Sequence, residues 1–319
     1  MNKSEGEAYT GKIMTVNGPI DPHQAGLVLP HEHVMSTFGE APARYPSYNQ
    51  EKLIAAVIPY LQRIRNYGCR TLVDCTATHF GRHPELLRVI SKQSGLHILT
   101  NTGYYGAADD RYIPMAAYDE DENQIAARWR REWVYGIDDT GVRPGFIKTA
   151  VDDGPLSQID RKLIRAAARA HLQTGLAIQT HVGDNWAVVQ DIFEILQAEG
   201  VHPSAWIWTH AHSVQETDPL EQAAQQGAWL SLDGINAENG THIRSLLAYL
   251  KEGGYLAQVL LSHDGDSYFD GGAFRPYHYL FTEFRPQLEA AGFTQDEIQL
   301  LTVVNPQRAF TLGVRRCSS

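Results

Sequence analysis

Cysteine is scarce in this sequence, and long apolar runs are absent from it. Cys69, Cys75 and Cys317 are the only cysteines in 319 residues, and no two of them form a CxxC pair. This usage fits reduced thiols better than a disulfide framework or a thiolate zinc site. The polar opening MNKSEGEAYTGK lacks the apolar stretch of a signal peptide, and no run reaches the roughly eighteen apolar residues of a membrane helix. We therefore expect a cytoplasmic protein that does not span a membrane.

Basic segments and nucleotide-binding motifs are also missing. The formal net charge is −10, without a long run of either sign. Nucleic-acid binding requires a basic face, so this balance argues against a nucleic acid as partner. Neither GxGxxG nor GxxxxGK[ST] follows any predicted strand, which removes the usual nucleotide-binding interpretation of an open sheet. A hydrophobic content of 43% with 20% charged residues fits a globular enzyme or binding protein with a sizeable core. We expect its partner to be a small-molecule substrate.

Short β-rich apolar runs alternate with longer amphipathic stretches along most of the chain. The eight runs begin at Leu27, Thr71, His97, Gly145, Ala177, Ala205, Ala228 and Gln258. Strict alternation of this kind is typical of repeated βα units, and eight of them favour a closed α/β barrel over an open sheet. The sequence therefore predicts a (βα)8 TIM barrel over residues 27–312, within one domain spanning 1–319. The turn-rich NGPIDP segment before Leu27 predicts a short N-terminal hairpin across the bottom of the barrel.

Polar side chains interrupt several of these apolar strands near their carboxyl ends. His31 and His33 stand two apart in the first strand, so both rings point to the barrel interior, whereas Glu32 points outward. A lone HxH pair is equally compatible with a structural role. The predicted strands 4, 5, 6 and 8 add four more candidates: Lys148, His181, His210 and Asp264. Barrel enzymes place their chemistry at this end, and buried ionisable groups are costly unless they are paired or metal-bound.

The motifs around these positions resemble those of a known family. HEHV, GFIKTA, QTHVG, WTHAHS, LSHDG and NPQRAF occur in this order, and over residues 11–313 the chain resembles the phosphotriesterase-related family of the amidohydrolase superfamily. The resemblance implies two divalent metal ions held by six side chains: His31, His33, Lys148, His181, His210 and Asp264. One ion is bound by the HxH pair and Asp264, and the other by the remaining two histidines. The lysine is carboxylated and bridges both, because an ammonium would repel two cations. Zinc suits these ligands, as do manganese, cobalt and iron.

The resemblance also implies a reaction. A metal-bridging hydroxide attacks the carbonyl of a lactone or carboxylic ester, and Asp264 acts first as general base and then as general acid. An amidase or deacylase of N-acyl amino acids, a promiscuous phosphotriesterase and a non-catalytic binding barrel remain alternatives, so the native substrate stays open. The family further implies a homodimer.

At five further positions near the predicted site, either the residue differs from that of family members or its role has two interpretations. Tyr105 occupies the place of a tyrosine that lactonase relatives carry near the bound water, so it is either catalytic or packs the barrel mouth. Gly234 stands where phosphotriesterases carry a histidine and lactonases an arginine. His212 is a pocket residue or a surface histidine, and Arg275 a carboxylate anchor or part of a surface ion pair. Asp266 is expected to disfavour a phosphate beside the strand 8 aspartate. The segment 264–281 is expected to form one wall of the pocket.

Overall fold

The computed structural model describes residues 7–268 and 274–317. Residues 269–273 of the predicted pocket wall therefore lie outside the described residues. The strands are β1 (Ile13–Thr15), β2 (Gly18–Ile20), β3 (Leu27–Glu32), β4 (Cys69–Asp74), β5 (His97–Leu99), β6 (Asn101–Thr102), β7 (Phe146–Ala150), β8 (Ala177–His181), β9 (Trp206–Thr209), β10 (Trp229–Leu232) and β11 (Val259–Leu261). The α-helices are α1 (Gln50–Asn66), α2 (Pro84–Ser94), α3 (Ala116–Asp119), α4 (Glu122–Tyr135), α5 (Gln158–Thr174), α6 (Trp186–Ala198), α7 (Asp218–Gln225), α8 (Gly240–Glu252), α9 (Arg285–Ala290), α10 (Gln295–Gln299) and α11 (Asn305–Phe310). Two π-helical turns, Leu280–Phe284 and Leu300–Val304, run into α9 and α11.

The strands from β3 onward close into the predicted barrel. β3, β4 and β5 pair in parallel, and β6 to β11 pair in parallel in chain order. β5 and β6 form one barrel segment interrupted at Thr100. The barrel closes between β11 and β3, where His33 N donates to Gly265 O at 2.8 Å and Asp264 N donates to His31 O at 3.2 Å. The prediction of an eight-stranded α/β barrel is confirmed.

Helix boundaries follow from local sequence signals, as α5 illustrates. Ser157 and Asp160 form a capping box at its start, satisfying backbone N–H groups that would otherwise lack partners. Gly175 ends the helix with a φ of 74°, a left-handed conformation that favours glycine. The buried residues Leu163 and Ile164 lie on the helix that packs against β7 and β8. The outer helices thereby hold the parallel strands in the register that positions their carboxyl ends.

The amino-terminal end of the barrel is closed by apolar packing. β1 and β2 form the predicted antiparallel hairpin, with Ile13 opposite Ile20. Ile13 packs in one buried cluster with side chains from inside the barrel, including Phe146, Ile207 and Leu260. Removal of this apolar surface from water stabilises the closed end. Among the described helices, none combines the length and apolar composition needed to cross a bilayer.

Candidate metal centre

The six side chains expected to bind metal meet at one cavity at the carboxyl end of the barrel. Its volume is about 150 Å³, and its lining residues are His31, His33, Ser36, Phe38, Phe80, Tyr105, Lys148, His181, His210, Asp264 and Arg275. Every candidate donor lies on a barrel strand or within three residues of its carboxyl end, so the barrel fixes their positions. The structure thus brings together all six predicted donors and the predicted catalytic Tyr105.

The first group of donors comprises His31, His33 and Asp264. Their ligand atoms lie within 4.8 Å of one another. Asp264 Oδ1 is 3.1 Å from His33 Nε2 and 3.4 Å from His31 Nε2. Burial alone would raise the pKa of Asp264, but the neighbouring imidazoles, with His31 foremost, hold this pKa below its ordinary value. The carboxylate is therefore ionised, the form that binds a divalent cation.

The second group comprises His181, His210 and Lys148. The rings of His181 and His210 have centroids 4.4 Å apart. Burial, reinforced by His210 and Lys148, lowers the pKa of His181, so its imidazole is neutral and able to bind metal. Lys148 is only 1% exposed, and within the described part of the chain its Nζ has no hydrogen-bond partner. A buried amine without a partner is costly, and carboxylation would turn it into an oxygen ligand. The residues present therefore fit a divalent metal centre.

Two of the donors have unusual backbone conformations. His210 has a φ of 65° and Asp264 a φ of 53°. Non-glycine residues rarely adopt this left-handed region, and strain of this kind clusters at functional sites. In both cases the residue follows the end of a barrel strand, where the turned backbone brings the side chain to the cavity lined by both groups of donors.

Asp233 contacts the Nδ1 atoms of two candidate ligands, His31 and His210, and the sequence analysis did not identify this aspartate. One carboxylate oxygen lies 2.7 Å from His31 Nδ1, and the other lies 2.8 Å from His210 Nδ1. His210 N also donates to Asp233 Oδ1 at 3.1 Å. A carboxylate behind a ligating imidazole fixes the ring and raises its basicity as a ligand. One sequence feature could have identified Asp233: it is a charged residue directly after the apolar strand WLSL. The structure shows that this residue is fully buried.

Glu32 holds the strand that carries Asp264. It points away from the cavity, as expected from the strand period, yet it is fully buried. Its Oε1 accepts hydrogen bonds from Ser262 Oγ at 2.8 Å and His263 N at 3.1 Å, and lies 2.7 Å from His263 Nδ1. Its Oε2 accepts from Gly265 N at 2.7 Å. Glu32 thereby holds the backbone of the two residues that flank Asp264 in the sequence, His263 and Gly265.

Tyr105 and Arg275 line the cavity itself. Tyr105 Oη lies 3.3 Å from His181 Nδ1, and burial raises the pKa of Tyr105, so its hydroxyl stays protonated. Arg275 Nη1 lies 4.0 Å from Asp264 Oδ2.

His212 does not line the cavity, and its Nδ1 lies 3.3 Å from Asp233 Oδ1. Asp266 is 2% exposed and accepts from Ser36 Oγ and, at 3.1 Å, from Tyr268 N. Asp266 is not among the residues that line the cavity, so its carboxylate does not contact the cavity directly, and its effect on an anion in the pocket stays a prediction.

A parallel (βα)8 barrel with imidazoles and a carboxylate converging at its carboxyl end defines a barrel protein with a candidate metal centre. The Phosphotriesterase family model matches residues 11–310, and the chain belongs to this family. It is 29% identical to a phosphotriesterase homology protein of Mycobacterium tuberculosis, covering 94% of this chain and 97% of that protein. It is 25% identical to an N-acetyltaurine hydrolase of Salmo salar, covering 95% and 99%. The structure resembles the organophosphorus hydrolase of Deinococcus radiodurans with a TM-score of 0.84 and 26% identity, covering 95% and 97%. The chain is thus a member of a hydrolase family.

Proposed function

We propose that the protein is a binuclear metal-dependent hydrolase that cleaves a lactone or a carboxylic ester. The observation that carries this proposal is the convergence of four histidines, Asp264 and a buried, unpartnered Lys148 Nζ on one cavity, among the residues that the structure describes. Imidazole and oxygen donors together suit zinc, manganese, cobalt or iron. Membership of a hydrolase family supports the same class of reaction.

The proposed metal assignment follows the two groups of donors. His31, His33 and Asp264 would hold one ion, His181 and His210 the other, and Lys148, once carboxylated, would bridge them. When bound, the ions would supply Lewis-acid polarisation of the substrate oxygen and an activated water. All six side chains belong to the barrel scaffold, which keeps them preorganised for binding.

The chain's own side chains then have distinct roles. Asp264, ionised and beside both HxH imidazoles, accepts the proton of the attacking water and returns it to the leaving group. Tyr105 keeps its proton and can donate a hydrogen bond to a substrate oxygen in the half of the cavity lined by His181. Phe38 and Phe80 form an aromatic wall with ring centroids 5.7 Å apart, which excludes water around the apolar part of a substrate.

A second candidate is hydrolysis of an amide, such as an N-acyl amino acid. The near full-length similarity to N-acetyltaurine hydrolases favours it. An amide nitrogen leaves only after protonation, a demand that Asp264 would have to meet. Phosphotriester hydrolysis is the third possibility on the same centre, supported by the structural similarity to an organophosphorus hydrolase.

The test is a substrate panel with the metal-reconstituted protein. We expect kcat/KM for lactones or aryl esters to exceed that for N-acyl amino acids and phosphotriesters, with activity lost after chelation. Higher kcat/KM for an N-acyl amino acid would select the amidase. Absence of turnover for every class, in protein with full metal content, would leave a non-catalytic binding barrel.

A further inference from the structure

Arg275 supplies a guanidinium at the rim of the cavity. Its backbone is held to Asp266 in both directions, with Arg275 N donating to Asp266 O at 3.0 Å and Asp266 N donating to Arg275 O at 2.9 Å. The origin of the side chain is therefore fixed next to the segment that carries Asp264. The side chain itself is 54% exposed and lines the same cavity as the metal donors.

Within the part of the chain that the structure describes, no residue accepts a hydrogen bond from the Arg275 guanidinium. Its nearest carboxylate contact, Asp264 Oδ2 at 4.0 Å, is too long for a hydrogen bond. By contrast, Arg82 contacts Glu132 with two hydrogen bonds of 3.0 Å, and Arg169 contacts Glu199 with two of 2.9 Å. Those arginines stabilise the fold through bidentate pairs. Arg275 has the same bidentate capacity and presents it to the cavity.

In the described part of the chain, the two carboxylates near Arg275 already have other partners, Asp264 beside His33 and Asp266 beside Ser36 and Tyr268. Asp266 is buried and does not line the cavity, so Asp264 is the one carboxylate among the described lining residues. In the proposed function Asp264 is a metal ligand, and its charge is shared with the ions. An anionic group placed against Arg275 would then meet attraction from the guanidinium without a free carboxylate beside it.

We propose that the substrate carries a carboxylate or sulfonate close to its scissile carbonyl, and that Arg275 binds this anionic group. The inference rests on the proposed hydrolase function and names its substrate class. The linker between anion and carbonyl must be short, because Arg275 Nη1 lies only 4.0 Å from Asp264 Oδ2. The cavity of about 150 Å³ requires a small acyl group, which would pack against Phe38 and Phe80.

A matched pair of esters tests this assignment. The mono-para-nitrophenyl ester of succinic acid and the para-nitrophenyl ester of butyric acid have chains of equal length and differ in the terminal carboxylate. We expect the wild type to prefer the succinate ester, and Arg275→Met to lower the ratio of the two kcat/KM values by about 10- to 100-fold. Arg275→Lys should retain part of the preference, because a lysine keeps the charge but loses the bidentate geometry. N-acetyl-β-alanine and N-acetyltaurine distinguish carboxylate from sulfonate in the amide series.

Arg131→Met is the matched control. Arg131 is exposed and lines a different cavity from that of the candidate metal centre, so its loss should leave the ester ratio within about twofold of the wild type. An equal preference for both esters, or an unchanged ratio in Arg275→Met, would overturn the inference while turnover upheld the proposed hydrolase.

Calorimetric titration with succinate, which has no scissile ester or amide, provides a readout independent of catalysis. Binding that weakens about 10-fold or more in Arg275→Met supports the anion site even if no substrate turns over. Equal binding by both proteins would count against it.

Discussion

The imidazole of His212 occupies the space that a side chain at residue 234 would need. A Cβ atom added to Gly234 would lie 2.1 Å from His212 Nε2 and 2.7 Å from two further ring atoms. On the other side of the ring, His212 Nδ1 lies 3.3 Å from Asp233 Oδ1. A histidine from the segment after β9 thus fills a position next to β10, and it completes the surroundings of the aspartate that fixes His31 and His210.

This packing predicts strong coupling between the two positions. Gly234→Ala should lower the free energy of unfolding by about 1–3 kcal/mol, because the new methyl overlaps the His212 ring. In the His212→Ala background the same change should cost at least about 1 kcal/mol less, measured by urea denaturation. Gly240→Ala is the matched control, since a Cβ there meets its nearest atom only at 3.5 Å. A Gly234→Ala protein as stable as the wild type would show that the ring moves aside freely.

The fold was predictable because strand and helix periodicities are local. Each of the eight apolar runs overlaps one barrel strand or, at His97, the split pair β5 and β6, although β4 begins two residues before the run at Thr71. The metal donors were predictable for a related reason, because a polar residue that interrupts an apolar strand near its carboxyl end lies where a barrel carries its chemistry. Their convergence on one cavity is a property of the closed sheet, which brings strand 1 beside strand 8.

The supporting residues were harder to predict, because their partners are distant in sequence. Asp233 contacts a histidine 202 residues away, and Glu32 contacts groups 230 or more residues away. Such pairings follow from three-dimensional closure rather than from a local pattern. The packing of the His212 ring beside Gly234 was also not predictable from the sequence. The sequence shows that residue 234 has no side chain, but not that the His212 ring fills the space beside it.

Glu32 should be essential for the stability of the closure. Glu32→Ala would leave Ser262, His263 and Gly265 with buried, unpaired groups, each of which costs about 1–3 kcal/mol. We expect the free energy of unfolding to fall by about 3 kcal/mol or more, and kcat to fall as well, because Asp264 lies between two of these residues. Glu32→Gln should be milder. The control Glu85→Gln, at a side chain that is 60% exposed, should change stability by less than about 0.5 kcal/mol. Comparable stabilities for Glu32→Ala and the control would contradict this role.

Metal analysis tests the proposed role of Lys148. We expect about two divalent ions per chain in metal-replete wild-type protein, as in other two-metal hydrolytic sites. Lys148→Ala should bind fewer ions and lose activity, and short carboxylic acids should restore part of it by supplying the missing oxygen ligands. Chelation followed by addition of zinc, manganese, cobalt or iron identifies the competent metal. Lys52→Ala, at an exposed position on α1, is the control. Full metal content and activity in Lys148→Ala would make the lysine a bystander.

Asp264 should be the kinetically most sensitive donor, because it both binds metal and accepts a proton. Asp264→Asn keeps an oxygen that can face the metal but removes the proton acceptor, since an amide is not a base at neutral pH. Metal content should therefore fall modestly while kcat falls by about 10²- to 10⁴-fold, the usual contribution of a general base. Parallel measurement of metal content and kcat is decisive, since equal losses of both would indicate a ligand without a catalytic role. Asp191→Asn, which affects an ion pair with Arg161 remote from the cavity lining, provides the control for an isosteric loss of charge. An Asp264→Asn protein that kept both ions and near wild-type turnover on its best ester would exclude Asp264 as the base.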